Sequence, residues 1–306
     1  MAHGRLSDHR SRSVIRRKDR RHARAARPRE MPVVSYANPN DPLLRRAAIS
    51  LIEKLTGQIQ VSRLYHDYRL SGDKARPFWA EALRRLEVTV DCDAARLADV
   101  PRRGPLVVIA NHPFGVIDGL VLCHLIAGVR ADFKLVAHEV MNRAPEIRGD
   151  LLPVSFTGTR EARRNNVETC RRAIDYVRSG GALIIFPAGG VSTARRVFGE
   201  ATDLPWQPLA AKLVTAARAT VLPVFFEGQN SWLFHAASRV SQSAREALLI
   251  KEAARRIGST VRLHIGEPLP FDALAPDDDP QALLDDLRAI TYRLPQHAYQ
   301  QRGPGV

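Results

Sequence analysis

The chain has 306 residues, 45% of them hydrophobic, enough to bury a full core in one large domain or two small ones. Its formal net charge of +14 is unevenly spread: residues 1–30 hold ten Arg and one Lys against Asp8, Asp19 and Glu30. Three widely spaced cysteines, Cys92, Cys123 and Cys170, exclude a disulfide framework and a zinc site and read as reduced core thiols.

Residues 1–35, with Arg16-Arg17-Lys18-Asp19-Arg20-Arg21 at their centre, have almost no large apolar side chains and are predicted to be a disordered basic tail. Such a tail has two physical partners, nucleic acid and anionic lipid, and near an anionic membrane each Lys or Arg contributes about 1 kcal/mol. A solvated extension without function fits the same composition. The tail lacks the apolar region and cleavage site of a secretory signal. No apolar run approaches the ~18 residues that span a bilayer. The longest, Leu120 to Val129, contains His124, so a soluble or peripheral protein is expected.

Residues 36–306 read as one domain. Asn40-Asp41-Pro42 is a helix start, and Leu44, Ala48, Leu51, Ile52 and Leu55 recur at helical spacing up to Gly57. A second helix around Pro77 to Leu86 completes an N-terminal helical pair, about residues 40–86. Strands and helices then alternate. Strands are expected at Val88–Val90, Leu106–Ala110, Phe133–Ala137, Leu152–Phe156, Ala182–Phe186, Thr220–Phe226 and Thr260–Ile265. The helices between them are expected near 118–127, 160–177, 208–218 and 244–257. The pattern predicts an α/β fold: a mixed, largely parallel sheet flanked by helices over about 87–275. A loop at Pro276–Pro280 leads to a last helix over about 280–294.

The run Asn111-His112-Pro113-Phe114-Gly115-Val116-Ile117-Asp118 follows a buried strand, where sites of α/β sheets gather. An imidazole at that strand tip can take a proton from a hydroxyl. An ionised Asp118 can fix its tautomer and stabilise the imidazolium. Six positions apart is not one helix face. The two side chains meet only if Pro113-Phe114-Gly115 forms a non-helical turn. A capped turn without chemistry fits the same spacing. No Ser or Cys stands in a nucleophile motif, so the expected nucleophile is a substrate hydroxyl, as in acyl transfer.

Phe186-Pro187-Ala188-Gly189-Gly190-Val191-Ser192 is a second element, whose adjacent glycines let backbone approach a ligand and whose N–H groups can hold an anion. Arg195 and Arg196 lie just beyond. His138-Glu139 reads as a solvated loop. Trp206, Trp232 and Phe234 fit either lipid contact or core.

Taken in order, these blocks resemble the glycerolipid (lysophospholipid) acyltransferase family, in particular its bacterial hemolysin-like branch. Asn111-His112-Pro113 through Asp118-Gly119 looks like its catalytic motif. Phe133–Ala137 with Val154 and Arg160 is similar to its second block. Phe186–Ser192 stands where the family has Phe-Pro-Glu-Gly-Thr-Arg-Ser, and Val221-Leu222-Pro223-Val224 resembles its fourth block. The resemblance covers about residues 40–275 and makes 36–306 an acyltransferase domain. It implies that His112, steadied by Asp118, deprotonates a lysolipid hydroxyl that attacks the thioester of acyl carrier protein (acyl-ACP) or acyl-coenzyme A. It also implies a substrate-binding set of Asn111, Gly115, Arg160, Phe186, Pro187, Gly189, Gly190, Ser192 and Arg195. No metal and no cofactor are implied, and the expected location is the cytoplasmic membrane's inner face.

The chain departs from the pattern. Five residues instead of four separate His112 from Asp118, and Ala188, Gly190 and Val191 replace the motif's Glu, Thr and Arg. Beside a lysophosphatidate or lysophospholipid acceptor, a lyso-ornithine lipid therefore becomes plausible. The rival of another class is a nucleic-acid-binding protein acting through the tail, against which stands the lack of interleaved aromatics and of a reader motif.

Overall fold

The computed structural model describes residues 58–71, 76–196, 198–240, 242–274 and 279–301. The basic tail and the helix expected between Asn40 and Gly57 lie outside the described residues. The helices are α1 Gln58–Leu70, α2 Phe78–Arg85, α3 Val116–Ala127, α4 Arg160–Arg178, α5 Pro208–Ala217, α6 Trp232–Val240, α7 Gln242–Arg255, α8 Phe271–Leu274 and α9 Pro280–Gln301. The strands are β1 Thr89–Asp91, β2 Leu106–Ala110, β3 Phe133–His138, β4 Leu151–Val154, β5 Ala182–Ile185, β6 Thr193–Ala194, β7 Ala201–Thr202, β8 Thr220–Phe226 and β9 Thr260–Ile265.

Seven strands form one sheet in the order β1-β9-β8-β2-β5-β3-β4. The five strands from β8 to β4 are mutually parallel. Strand β9 runs antiparallel to β8 and carries β1 parallel to itself. This is the mixed, largely parallel sheet expected. Strand β2 is a continuous apolar run because both sheet faces are covered. Leu106, Val108 and Ala110 pack with Trp79 and Leu83 of α2 and with Ile117 and Val121 of α3. Val107 and Ile109 pack on the other side with Val177 of α4, Val214 of α5 and Leu287 of α9.

Below the sheet, the fully buried Arg130 ties three strand entries together. Its guanidinium pairs with Asp132 at 2.6 Å and donates to the carbonyls of Gly104 at 2.7 Å and Gly180 at 2.6 Å. Nothing in the sequence around Arg130 announces that role.

Several elements differ from expectation. Helix α1, described from Gln58 onward, was not expected from the sequence, and its Leu64 and Tyr65 pack against the core. The strand expected to reach Phe156 ends at Val154. The Ser155 backbone turns aside to pair twice with the Asn166 side chain, at 2.8 and 2.7 Å. The β6–β7 hairpin went unread because two-residue strands carry no period, and the nine-residue α6 was not placed. The last helix continues through Pro295 instead of stopping at 294.

Candidate active site

His112 stands two residues beyond the carboxyl end of β2. The chain then turns through Gly115, at φ 77°, into α3. A Cβ at Gly115 would lie 3.2 Å from Val191 Cγ2 and 3.3 Å from Leu249 Cδ2, so both conformation and space call for glycine. This turn settles the six-residue spacing. Asp118, in the first turn of α3, reaches back so that Oδ2 sits 2.9 Å from His112 Nδ1. The same oxygen accepts from the backbone N–H groups of Phe114 at 2.8 Å and Gly115 at 3.0 Å. A helix N-terminus favours a carboxylate there.

Asp118 is fully buried, which pushes its carboxyl above the usual range, while the His112 contact and the two backbone donors pull it down. Its Oδ1 has no hydrogen bond among the described residues. The guanidinium of Arg256, 3.8 Å over the Phe114 ring, is drawn electrostatically toward Asp118. Burial lowers the Arg256 pKa. Sequence reading missed Arg256.

His112 is fixed from three further directions. Its ring stacks on Phe186, centroids 3.9 Å apart and planes 19° apart. Its carbonyl accepts from the Ser192 N–H at 2.8 Å. Its own N–H donates to Asp203 Oδ1 at 3.1 Å. Asp203 is buried and also accepts from Ser192 Oγ at 2.5 Å and Trp206 Nε1 at 2.9 Å. No motif marks Asp203 in the sequence.

These elements border a cleft of about 720 Å³, lined by His112, Gly115, Phe186, Gly189, Gly190 and Arg245 among others. Ala188 and Val191 are buried in apolar clusters. The cation of this corner comes instead from α7. Arg245 donates to the Val191 carbonyl, and its Nη2 lies 3.2 Å from where a Gly190 Cβ would stand. Burial lowers its pKa and nearby Glu246 opposes that. Sequence reading missed Arg245 because it is 54 residues from the turn it completes.

The chain matches the family model described as Acyltransferase over residues 67–295, three quarters of its length. It belongs to the acyltransferase family. Two proteins similar to it are lyso-glycine lipid O-acyltransferases. That of Phocaeicola vulgatus is 23% identical over 209 residues, covering 65% of this chain and 71% of the relative. That of Bacteroides thetaiotaomicron is 25% identical over 263 residues, covering 80% and 89%. Among solved structures it is similar to the 1-acyl-sn-glycerophosphate acyltransferase of Thermotoga maritima, at 16% identity and a TM-score of 0.46 over 83% of this chain and 97% of that one.

In this acyltransferase the expected residues His112, Asp118, Gly115, Phe186, Pro187, Gly189 and Gly190 come together at or directly behind one cleft. Four residues expected to bind substrate lie elsewhere. Asn111 clamps β2 to β8, its amide donating to the Phe226 carbonyl at 3.0 Å and accepting from the Phe226 N–H at 2.7 Å. Ser192 is buried behind His112 and bonded to Asp203. Arg160 is exposed at the start of α4 and Arg195 is exposed on the hairpin, neither lining the cleft. His138 is no solvated loop residue. It ends β3, lines the cleft and accepts from the Val140 N–H at 3.0 Å, and burial lowers its pKa. Trp206 and Phe234 are buried, whereas Trp232 is exposed.

Proposed function

We propose that this acyltransferase esterifies the hydroxyl of a lysolipid whose head group is an amino acid, with acyl carrier protein or coenzyme A delivering the acyl thioester. The carrying observation is the His112–Asp118 contact at 2.9 Å beside the cleft. Neither ring nitrogen of His112 bonds a serine or cysteine among the described residues, so the substrate supplies the nucleophile.

With Nδ1–H donated to Asp118, Nε2 carries the lone pair and takes the proton of the acceptor hydroxyl. The oxygen attacks the thioester carbonyl, and backbone N–H groups of the Gly189-Gly190 turn can steady the developing oxyanion. Collapse expels the thiolate, which recovers the proton from the imidazolium. Nothing beyond the acyl donor is required.

The acceptor follows from the turn. Where the family motif has Glu, Thr and Arg, this turn has Ala188, Gly190 and Val191, and the cation present is Arg245. An amino acid acylated on nitrogen keeps a singly charged planar carboxylate, which one guanidinium matches bidentately. A lysophosphatidate carries more charge on a tetrahedral group. The relatives' lyso-glycine lipid activity supports the same class, and lyso-ornithine lipid fits it equally. No helix of the described residues is long and apolar enough to cross a membrane. We place the enzyme peripherally on the inner face of the cell membrane, where acyl-ACP and acyl-coenzyme A are made.

The test is acyl transfer from labelled acyl-ACP and acyl-coenzyme A by wild type and His112→Ala, with lyso-glycine lipid, lyso-ornithine lipid and lysophosphatidate as acceptors. The expected result is a His112-dependent ester on an amino-acid lipid. Near-wild-type turnover by the variant would sink the mechanism, and preference for lysophosphatidate would sink the acceptor.

A further inference from the structure

We propose that the tip of the β6–β7 hairpin, together with Trp232, is the surface on which this protein settles onto an anionic lipid bilayer. The inference rests on the reading of a lipid acceptor. Phe198 is 86% exposed and Trp232 55% exposed, and their rings lie 6.1 Å apart at 39°. The other two tryptophans, Trp79 and Trp206, are each only 3% exposed. Two large neighbouring aromatics in water mark a contact surface, and tryptophan is enriched at the membrane–water boundary.

The hairpin is built to hold this pair out. Thr193 pairs with Thr202 and Ala194 with Ala201 at its base. The Gln229 side chain accepts from the Ala201 N–H at 2.8 Å. Trp232 opens α6 directly after Ser231, whose Oγ donates to Glu252 at 2.5 Å. The base of the hairpin and the start of α6 are thus each held by hydrogen bonds to neighbouring elements.

Charge completes the match. Arg195 and Arg196 are exposed on the same hairpin and form no ion pair among the described residues, while Glu200 is its one exposed acid. Basic side chains flanking aromatics suit an anionic leaflet. An acidic carrier protein would meet the arginines too, but would leave the exposed rings unexplained. The hairpin is also tied to the site from behind: the N–H of Ser192, six positions before Phe198, donates to the His112 carbonyl.

Trp232 makes the surface testable in the full chain. Emission is followed on adding phosphatidylglycerol vesicles with or without brominated acyl chains. The expected result is a blue shift and bromine quenching, both lost in Trp232→Phe. Phe198→Ser should weaken vesicle binding about tenfold or more, with acyl transfer to a water-soluble short-chain acceptor unchanged. Vesicle binding without quenching, quenching that persists in Trp232→Phe, or a shift produced by acyl carrier protein but not by vesicles would each overturn it. Absence of transfer to every acceptor would instead sink the lysolipid reading, and quenching of Trp232 is read independently of it.

Discussion

The backbone N–H of His112 donates to Asp203 Oδ1 at 3.1 Å, so the imidazole is governed by two carboxylates, Asp118 on its ring and Asp203 on its main chain. Asp203 gathers His112, Ser192 and Trp206 into one buried knot and touches no part of the ring that titrates. It is a positioning residue. In Asp203→Asn the amide cannot accept from all three donors, so one is left unmet at a cost of about 1–3 kcal/mol. We expect kcat to fall about tenfold, with the pH profile of kcat unmoved. A displaced profile would show that Asp203 acts on the imidazole's charge rather than its place.

Asp118 makes the contrasting case. Burial raises its folded carboxyl pKa above the unfolded value. The stability contributed by this group is therefore fully present below the unfolded carboxyl range and is lost as pH rises through the folded value. An ionised Asp118, as the proposed mechanism requires, is therefore a burden on the fold. Asp118→Asn should match or exceed wild type in urea unfolding at pH 7, with wild type gaining on the variant as pH falls toward 4. Turnover should drop by ~10² to 10⁴. Marked destabilisation of the variant at pH 7 would show that the three hydrogen bonds outweigh burial.

The parts of this site visible in the sequence are those the chain writes contiguously. Strand β2 reads as buried because every residue from Leu106 to Ala110 is apolar, and the His112 turn follows at once. Glycines 115 and 189 are legible because their positive φ favours glycine, and Gly190 because it adjoins Gly189 in the turn. Asp203, Arg245 and Arg256 are illegible for the opposite reason: each is distant in sequence from the residues it meets at the site and stands in no motif. Asn111 shows the converse error. The family resemblance implied a role in binding, but side chains alternate at a strand end, and its amide turns away to Phe226.

Gly115 carries a sharper demand than the other glycines of the cleft. Its φ of 77° and its contacts with Val191 and Leu249 both resist a methyl group. Gly115→Ala should destabilise the fold by about 1–3 kcal/mol. It should also cut kcat more than it raises KM, because the displaced N–H is one of the donors aligning Asp118. Chemical unfolding and steady-state kinetics on the same preparation check both. Unaltered kcat in a destabilised variant would confine Gly115 to packing.

Substitution of Arg245 would separate the proposed head-group recognition from catalysis. It lies across the cleft corner from His112, on α7, and reaches the Val191 carbonyl. Loss of a charged hydrogen bond worth about 1.5–3 kcal/mol predicts that Arg245→Ala raises KM for an amino-acid-headed lysolipid by ~10- to 100-fold with kcat nearly held. Arg245→Lys should recover little, since an ammonium cannot present the guanidinium fork. Gly190→Ala should act in the same direction more weakly, because the new Cβ would crowd Nη2 at 3.2 Å and turn the guanidinium aside. A monoacylglycerol, which has no carboxylate, is the control. If its KM rises in step with that of the charged acceptor, Arg245 shapes the cleft wall and does not read the head group.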